Sequence, residues 1–286
     1  MRILSLRGGG IKGVVPAMIL SRLELLTGRA VAHSFDLIVG TSTGGIIALA
    51  AGLGMAAARM RDLYVEQGAA IFKRRWLLGL FAARYDIKNL RSALYEQFGA
   101  RPRWMGECRT QVMVTATDWS TGGATLFKSW QHPNLAVVDV ASATAAAPTY
   151  FDPVMIGNGC YVDGGLWANN PAPYALLEAV KAGRSLGDIR LVDLACPVGP
   201  PVKRRPAGGV IGVLPSIVDA LIDAGMDAAA HSARKLLNGN CLTVVPELDY
   251  ASPNMADASR GNIARLLAAG ERQADRFAVQ IAAHVR

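Results

Sequence analysis

Apolar positions along this chain follow two recurring patterns. Short runs at Arg2 to Leu6, Leu37 to Val39, Cys160 to Val162, Ile189 to Ala195 and Cys241 to Val245 read as strands, the first buried by its unbroken apolar character. Gln111 to Thr117 alternates valine, methionine and threonine as a strand does, with Ala124 to Trp130 as its hairpin neighbour across Gly122-Gly123. Longer stretches read as helices. Val14 to Leu26 is closed by Gly28; Ile46 to Ala51 continues through Met55 to Gln67; Asp86 to Phe98 follows; Val137 to Ala147 is stopped by Pro148. Pro171 opens Ala172 to Ala182, Ile211 to Leu237 is mostly helical, and Asp257 to Ala282 has one soft break at Gly270. Strand and helix alternate without repeat, low-complexity tract or linker. The pattern predicts a single α/β domain over 1–286, with a mostly parallel central sheet sandwiched between helices.

Composition narrows the setting. The 286 residues are 51% hydrophobic, enough for a substantial core. The formal charge is +8, so the surface favours anionic partners: phospholipid headgroups, nucleic acid or phosphorylated ligands. The four scattered cysteines form no C-x-x-C and predict reduced, buried thiols in a cytosolic protein, with neither a disulfide framework nor a metal site. Met1 runs straight into the first strand, which no signal peptide does. Leu37 to Ala58 is uncharged and long enough to span a bilayer, but Thr41-Ser42-Thr43 and its glycines divide it into strand and helix. Membranes are therefore expected to be met from outside, at the cytoplasmic inner face. Phe72 to Tyr85 places Lys73-Arg74-Arg75 beside Trp76 to Phe81, which suits either an interfacial segment or a helix-loop with a solvated basic edge. Phe72 to Phe98 as a whole reads as an excursion over the site, a candidate lid.

The chemistry begins at Phe35 to Gly45, FDLIVGTSTGG. An apolar run ends abruptly in Gly40-x-Ser42-x-Gly44 and a helical pattern follows at once: a nucleophile elbow after strand two. A turn this tight leaves no room for side chains two positions either side of the serine. The bland reading is a glycine-rich corner, or one that holds a phosphate on its amides. Arg7 to Gly13, RGGGIKG, also satisfies G-x-G-x-x-G. A dinucleotide site would need an acid at the end of strand two, but Asp36 begins that strand, and the Walker A pattern fails at Lys12-Gly13. Three glycines after a strand suit an oxyanion hole better. Unobstructed amides there stabilise the negative charge of acyl transfer by roughly 3 kcal/mol per donor. On adjacent parallel strands the two turns would emerge at one sheet edge.

Serine needs a base. His33, His132, His231 and His284 all read as structural; His231 alone has the usual chain order, and it lies inside a long helix. Asp163 ends a strand before two glycines, and an aspartate beside Ser42 can take its proton if burial raises its pKa. By itself D-G-G is also a common turn.

Taken together, Gly8-Gly9-Gly10-x-Lys12-Gly13, Gly40-x-Ser42-x-Gly44, Ala147 to Phe151 and Asp163-Gly164-Gly165-x-x-Ala168-Asn169-Asn170-Pro171 resemble the patatin-like phospholipases. Met255 to Ile263 also resembles that family's C-terminal helix, so the likeness covers nearly the whole chain. The resemblance implies Ser42 as nucleophile, Asp163 as its dyad partner and Gly8, Gly9 and Gly10 as the oxyanion loop. It implies cleavage of acyl esters in phospholipids or acylglycerols with no cofactor, metal or histidine. Arg7 stands where the family often carries an acidic or small polar residue, and Lys12 replaces a frequent arginine. Both become candidate contacts for a substrate phosphate, although Lys12 could instead pair with an internal acid. Some bacterial relatives are anti-phage effectors switched on by cyclic dinucleotides, which makes such a ligand a candidate activator; DNA and RNA are not expected partners. The competing reading is a nucleotide-sensing or membrane-binding module with a vestigial hydrolase site.

Overall fold

The computed structural model describes residues 1–75, 83–99, 101–200, 210–251 and 254–286, with the backbone alone over 210–221. β1 (Arg2–Leu6) leads through a 3₁₀ turn, Gly10–Gly13, into α1 (Val14–Thr27). Then come α2 (Val31–Ser34), β2 (Leu37–Gly40), α3 (Thr43–Gly52), α4 (Ala57–Ile71) and α5 (Ile87–Phe98). β3 (Gln111–Asp118) and β4 (Gly123–Lys128) form a hairpin, followed by α6 (Val137–Ala145), β5 (Val154–Ile156) and β6 (Gly159–Asp163). The order closes with α7 (Gly165–Ala168), α8 (Ala172–Lys181), β7 (Arg190–Leu194), α9 (Val210–Leu237), β8 (Cys241–Val244) and α10 (Arg260–His284).

The strands form one sheet in the order β5-β6-β3-β2-β1-β7-β8, with β4 also paired to β3. From β3 to β8 neighbours run parallel, whereas β4, β5 and β6 are antiparallel to theirs. The mostly parallel sheet is thus present, with an antiparallel margin. Both faces are buried, and successive residues supply opposite ones. Leu4, Leu6, Ile38, Val112 and Val114 pack under α1, α3 to α6 and α10, while Ile3, Leu37, Val39 and Met113 pack under α8 and α9.

Several elements depart from the sequence pattern, among them the short helices α2 and α7. The helix expected to continue through Met55 breaks after Gly52, where Gly54 takes φ +77. α4 restarts at Ala57 and packs on α1 and α5. The last helix starts at Arg260 and not Asp257, because the Ser259 hydroxyl caps it by accepting the Asn262 amide at 3.3 Å. β5 has three residues, too few to show alternation in sequence. The Trp76 to Phe81 cluster and the Lys203-Arg204-Arg205 run lie outside the described residues.

One register decides where the site lies. β3 overhangs β2: Gly40 pairs with Val114, and β3 continues to Asp118. β6 pairs antiparallel with that overhang alone, Asp163 opposite Ala116. A fully paired antiparallel strand would carry its end to the far edge of the sheet. This one stops just past the end of β2, delivering Asp163 to the elbow.

Candidate active site

Leu6 of β1 and Gly40 of β2 are register partners, so the glycine turn and the serine turn leave the sheet side by side. Ser42 joins β2 to α3 at φ 56, ψ −126, a conformation L residues rarely adopt. The glycines around it are forced by close approach. A Cβ on Gly40 would lie 2.2 Å from the Gly44 carbonyl oxygen, and one on Gly44 would lie 2.3 Å from that of Leu6. The turn is tied down on all sides. The Ser42 amide donates to Thr144 Oγ1 at 2.9 Å, and the Thr41 amide donates to Leu6 O at 3.2 Å. The Thr41 hydroxyl donates to Ala168 O at 2.6 Å, and Tyr64 meets Thr43 through its hydroxyl.

Asp163 is buried, its carboxylate accepts the Gly165 amide at 2.7 Å, and the Ser42 side chain lies near enough to pull its pKa down. Burial outweighs that and pushes it up to about 6, with Ser42 and the Gly165 amide pulling the other way. The candidate nucleophile therefore lies beside the candidate base, whose burial favours its protonated form.

The glycine loop covers the serine: a Cβ on Gly8 would lie 3.2 Å from Ser42 Cβ and 2.1 Å from Asn169 Oδ1. Two expectations are corrected here. The Gly8 amide is not open to an oxyanion, because it donates to Asn169 O at 3.1 Å. The Gly9 and Gly10 amides meet no acceptor among the described residues. Nor is Arg7 a phosphate contact. Its guanidinium is buried, with Nε at 2.9 Å from Asp193 Oδ1 and Nη2 at 2.6 Å from Asp193 Oδ2. Lys12 is half-buried on the 3₁₀ turn, and its charge pulls the Cys196 thiol down against the burial that holds it up at about 12.

An apolar cavity of about 50 Å³ opens on Ser42, walled by Ile46, Leu63, Phe72, Tyr150 and Met255. Backbone bonds from Arg75 to Arg84, Arg84 to Thr149 and Tyr85 to Tyr150 stitch its aromatic wall together, and Lys73, Arg74 and Arg84 stand exposed beside it. The histidines lie elsewhere. His33 and His231 are exposed, His132 Nδ1 accepts the Lys128 amide at 3.0 Å, and His284 meets Asn240 O at 3.1 Å. The four cysteines are free thiols; only Cys196 is fully buried. Among the described residues there is no cluster of His, Cys, Asp and Glu able to hold a metal, and no helix is long and apolar enough to cross a membrane.

Sequence reasoning missed Asp193, Thr144, Tyr64 and the cavity wall at Met255. Asp193 had a signal: a charge inside the apolar strand Leu191-Val192-Asp193-Leu194 needs a buried partner.

At Ser42 a strand–serine–helix elbow has a glycine loop on one side and the buried Asp163 on the other. Residues 4–176 match the model of the family described as Patatin-like phospholipase, and the chain belongs to that family. It is 40% identical over 187 residues to a cGAMP-activated phospholipase of Pseudomonas aeruginosa, covering 62% of this chain and 56% of that one. It is 32% identical over 199 residues to the 85/88 kDa calcium-independent phospholipase A2 of Rattus norvegicus, covering 62% and 23%. VipD from Legionella pneumophila shares the fold, with TM-score 0.53 at 13% identity over 98% of this chain and 67% of that one. The matched region thus spans little more than half the length of the bacterial relative.

Proposed function

We propose that this chain is a serine acyl hydrolase that cleaves fatty-acyl esters of membrane phospholipids. The observation that carries the reading is the strained Ser42 at the elbow beside the buried carboxyl of Asp163, whose pKa burial pushes up to about 6. Asp163 takes the Ser42 proton as Oγ bonds to the ester carbonyl carbon. The Gly9 and Gly10 amides and the N-terminus of α3 face the negative charge that develops on the carbonyl oxygen. As the tetrahedral intermediate collapses, the carbon–oxygen bond to the lysolipid breaks and Asp163 gives its proton to that leaving oxygen. Asp163 then takes a proton from water, the hydroxide attacks the acyl-enzyme, and the fatty acid leaves as Ser42 regains a proton. The apolar cavity suits the start of an acyl chain; at about 50 Å³ it must widen to hold more of one.

On this reading the partner is an anionic membrane surface, met peripherally at the inner face. Lys73, Arg74 and Arg84 beside the cavity and the net charge of +8 support it. Lys12 remains the candidate headgroup contact at the loop. The continuous sheet supports treating 1–286 as one working domain. The narrow cavity and the bacterial relatives' activation by cGAMP together support a cyclic dinucleotide as activator.

The test is fatty-acid release from phospholipid vesicles, with and without cGAMP. Ser42→Ala should abolish release and labelling by a serine-directed fluorophosphonate while leaving the fold intact. Hydrolysis that survives Ser42→Ala sinks the assignment. An unlabelled, inactive wild type would favour a binding module with a vestigial site.

A further inference from the structure

We propose that Arg7 and Asp193 are positioning residues, a buried ionic clamp that holds the glycine loop and the Asp163 turn in one geometry around Ser42. The inference rests on reading Ser42 and Asp163 as the reacting pair. Arg7 directly precedes Gly8, and three of its groups are bound to β7 or its exit. Its amide donates to Leu194 O at 3.1 Å, its carbonyl accepts Cys196 Sγ at 3.8 Å, and its guanidinium forks onto Asp193.

The other side of the site reaches the same carboxylate. Asn170 Nδ2 donates to Asp193 Oδ2 at 3.0 Å, while Asn170 Oδ1 accepts the Ala172 amide at 3.0 Å, which fixes the carboxamide's orientation. Asn169, one residue back, accepts the Gly8 amide. Asp193 therefore joins the loop after β1, which carries the candidate oxyanion donors, to the turn after β6, which begins with Asp163.

An ion pair at 7% and 0% exposure is a poor choice for stability alone, because desolvating both charges offsets their attraction and an apolar pair of similar volume serves as well. What the pair supplies is direction: a planar fork matched to a carboxylate fixes angle as well as distance. Directional control matters most at an oxyanion loop, where a displacement of about 1 Å lowers rate by roughly 100-fold.

The test uses the full chain and a soluble ester, p-nitrophenyl butyrate, so that membrane binding does not enter. Asp193→Asn is expected to lower Tm and to reduce kcat about 100-fold with KM within about threefold. Arg7→Met/Asp193→Leu removes both charges; it should recover most of the Tm while kcat stays depressed by at least about 30-fold. Arg7→Lys keeps the charge without the fork and should fall between. Wild-type kcat in the apolar double variant would reduce the clamp to a structural pair and overturn the proposal, as would a folded Asp193→Asn with wild-type kcat. If neither variant folds, Arg7→Lys decides: full kcat there refutes directional control. A wild type whose ester hydrolysis survives Ser42→Ala would instead refute the underlying dyad, an outcome separate from these.

Discussion

At the scale of single residues, the site stores two unfavourable features side by side. Ser42 holds a backbone conformation that costs on the order of 1–3 kcal/mol, and Asp163 is a carboxylate buried with few donors. The second has a pH signature. The base must be ionised to accept the Ser42 proton, so kcat/KM should rise tenfold per unit below about pH 6 and level off above it. Stability moves the other way. The folded-state pKa lies above the ordinary carboxylate value of 3.8, so ionising Asp163 weakens the fold; the penalty is absent below about pH 4 and complete above about pH 6. Asp163→Asn should therefore be inactive yet melt higher than the wild type at pH 8, with the advantage vanishing near pH 4. A rate profile that ignores pH 6, or a Tm gap that does not change with pH, contradicts this assignment of the base.

At the scale of elements, the site is three turns packed against one another. The elbow touches the end of β1 through Gly44, and the Asp163 turn touches the glycine loop through Asn169. Such contacts leave no slack. Gly44→Ala would drive a methyl into the Leu6 carbonyl at 2.3 Å, separating the two turns. Denaturant titration should show a loss of about 1–3 kcal/mol, and activity should fall further than that loss explains. The strap at Met255 belongs to the same assembly, since its carbonyl accepts the Ile11 amide at 2.8 Å while its side chain walls the cavity. It brings a segment distant in sequence into the roof of the site.

At the scale of the molecule, charge and cavity lie together. Lys73, Arg74 and Arg84 flank the aromatic wall of the apolar cavity, on a chain that carries +8 overall. Hydrolysis of vesicles should rise as phosphatidylglycerol replaces phosphatidylcholine and fall as NaCl is raised, because the attraction is screened within about 8 Å at physiological salt. Lys73→Glu/Arg74→Glu/Arg84→Glu should lower the ratio of vesicle to soluble-ester hydrolysis by about tenfold or more, at about 1 kcal/mol per basic residue near the surface. An unchanged ratio would move membrane contact to another face.

Much of this was legible because local chemistry leaves few choices. Short apolar runs bounded by glycines read as buried strands, and G-x-S-x-G after such a run reads as a sharp turn; hence β1, β2 and the turn at Ser42 were readable from residues alone. Helix ends were less so, because a pattern of apolar positions does not register a turn such as Gly52 to Ala57. What only the tertiary structure decided depends on register and on pairs far apart in the chain. The β3 overhang brought Asp163 to Ser42, and Asn169 took the Gly8 amide. Asp193, 186 residues from Arg7, turned a candidate phosphate contact into a buried clamp. A sequence states that an arginine is charged; only the fold determines which carboxylate it meets, because that depends on where two strands come to lie side by side.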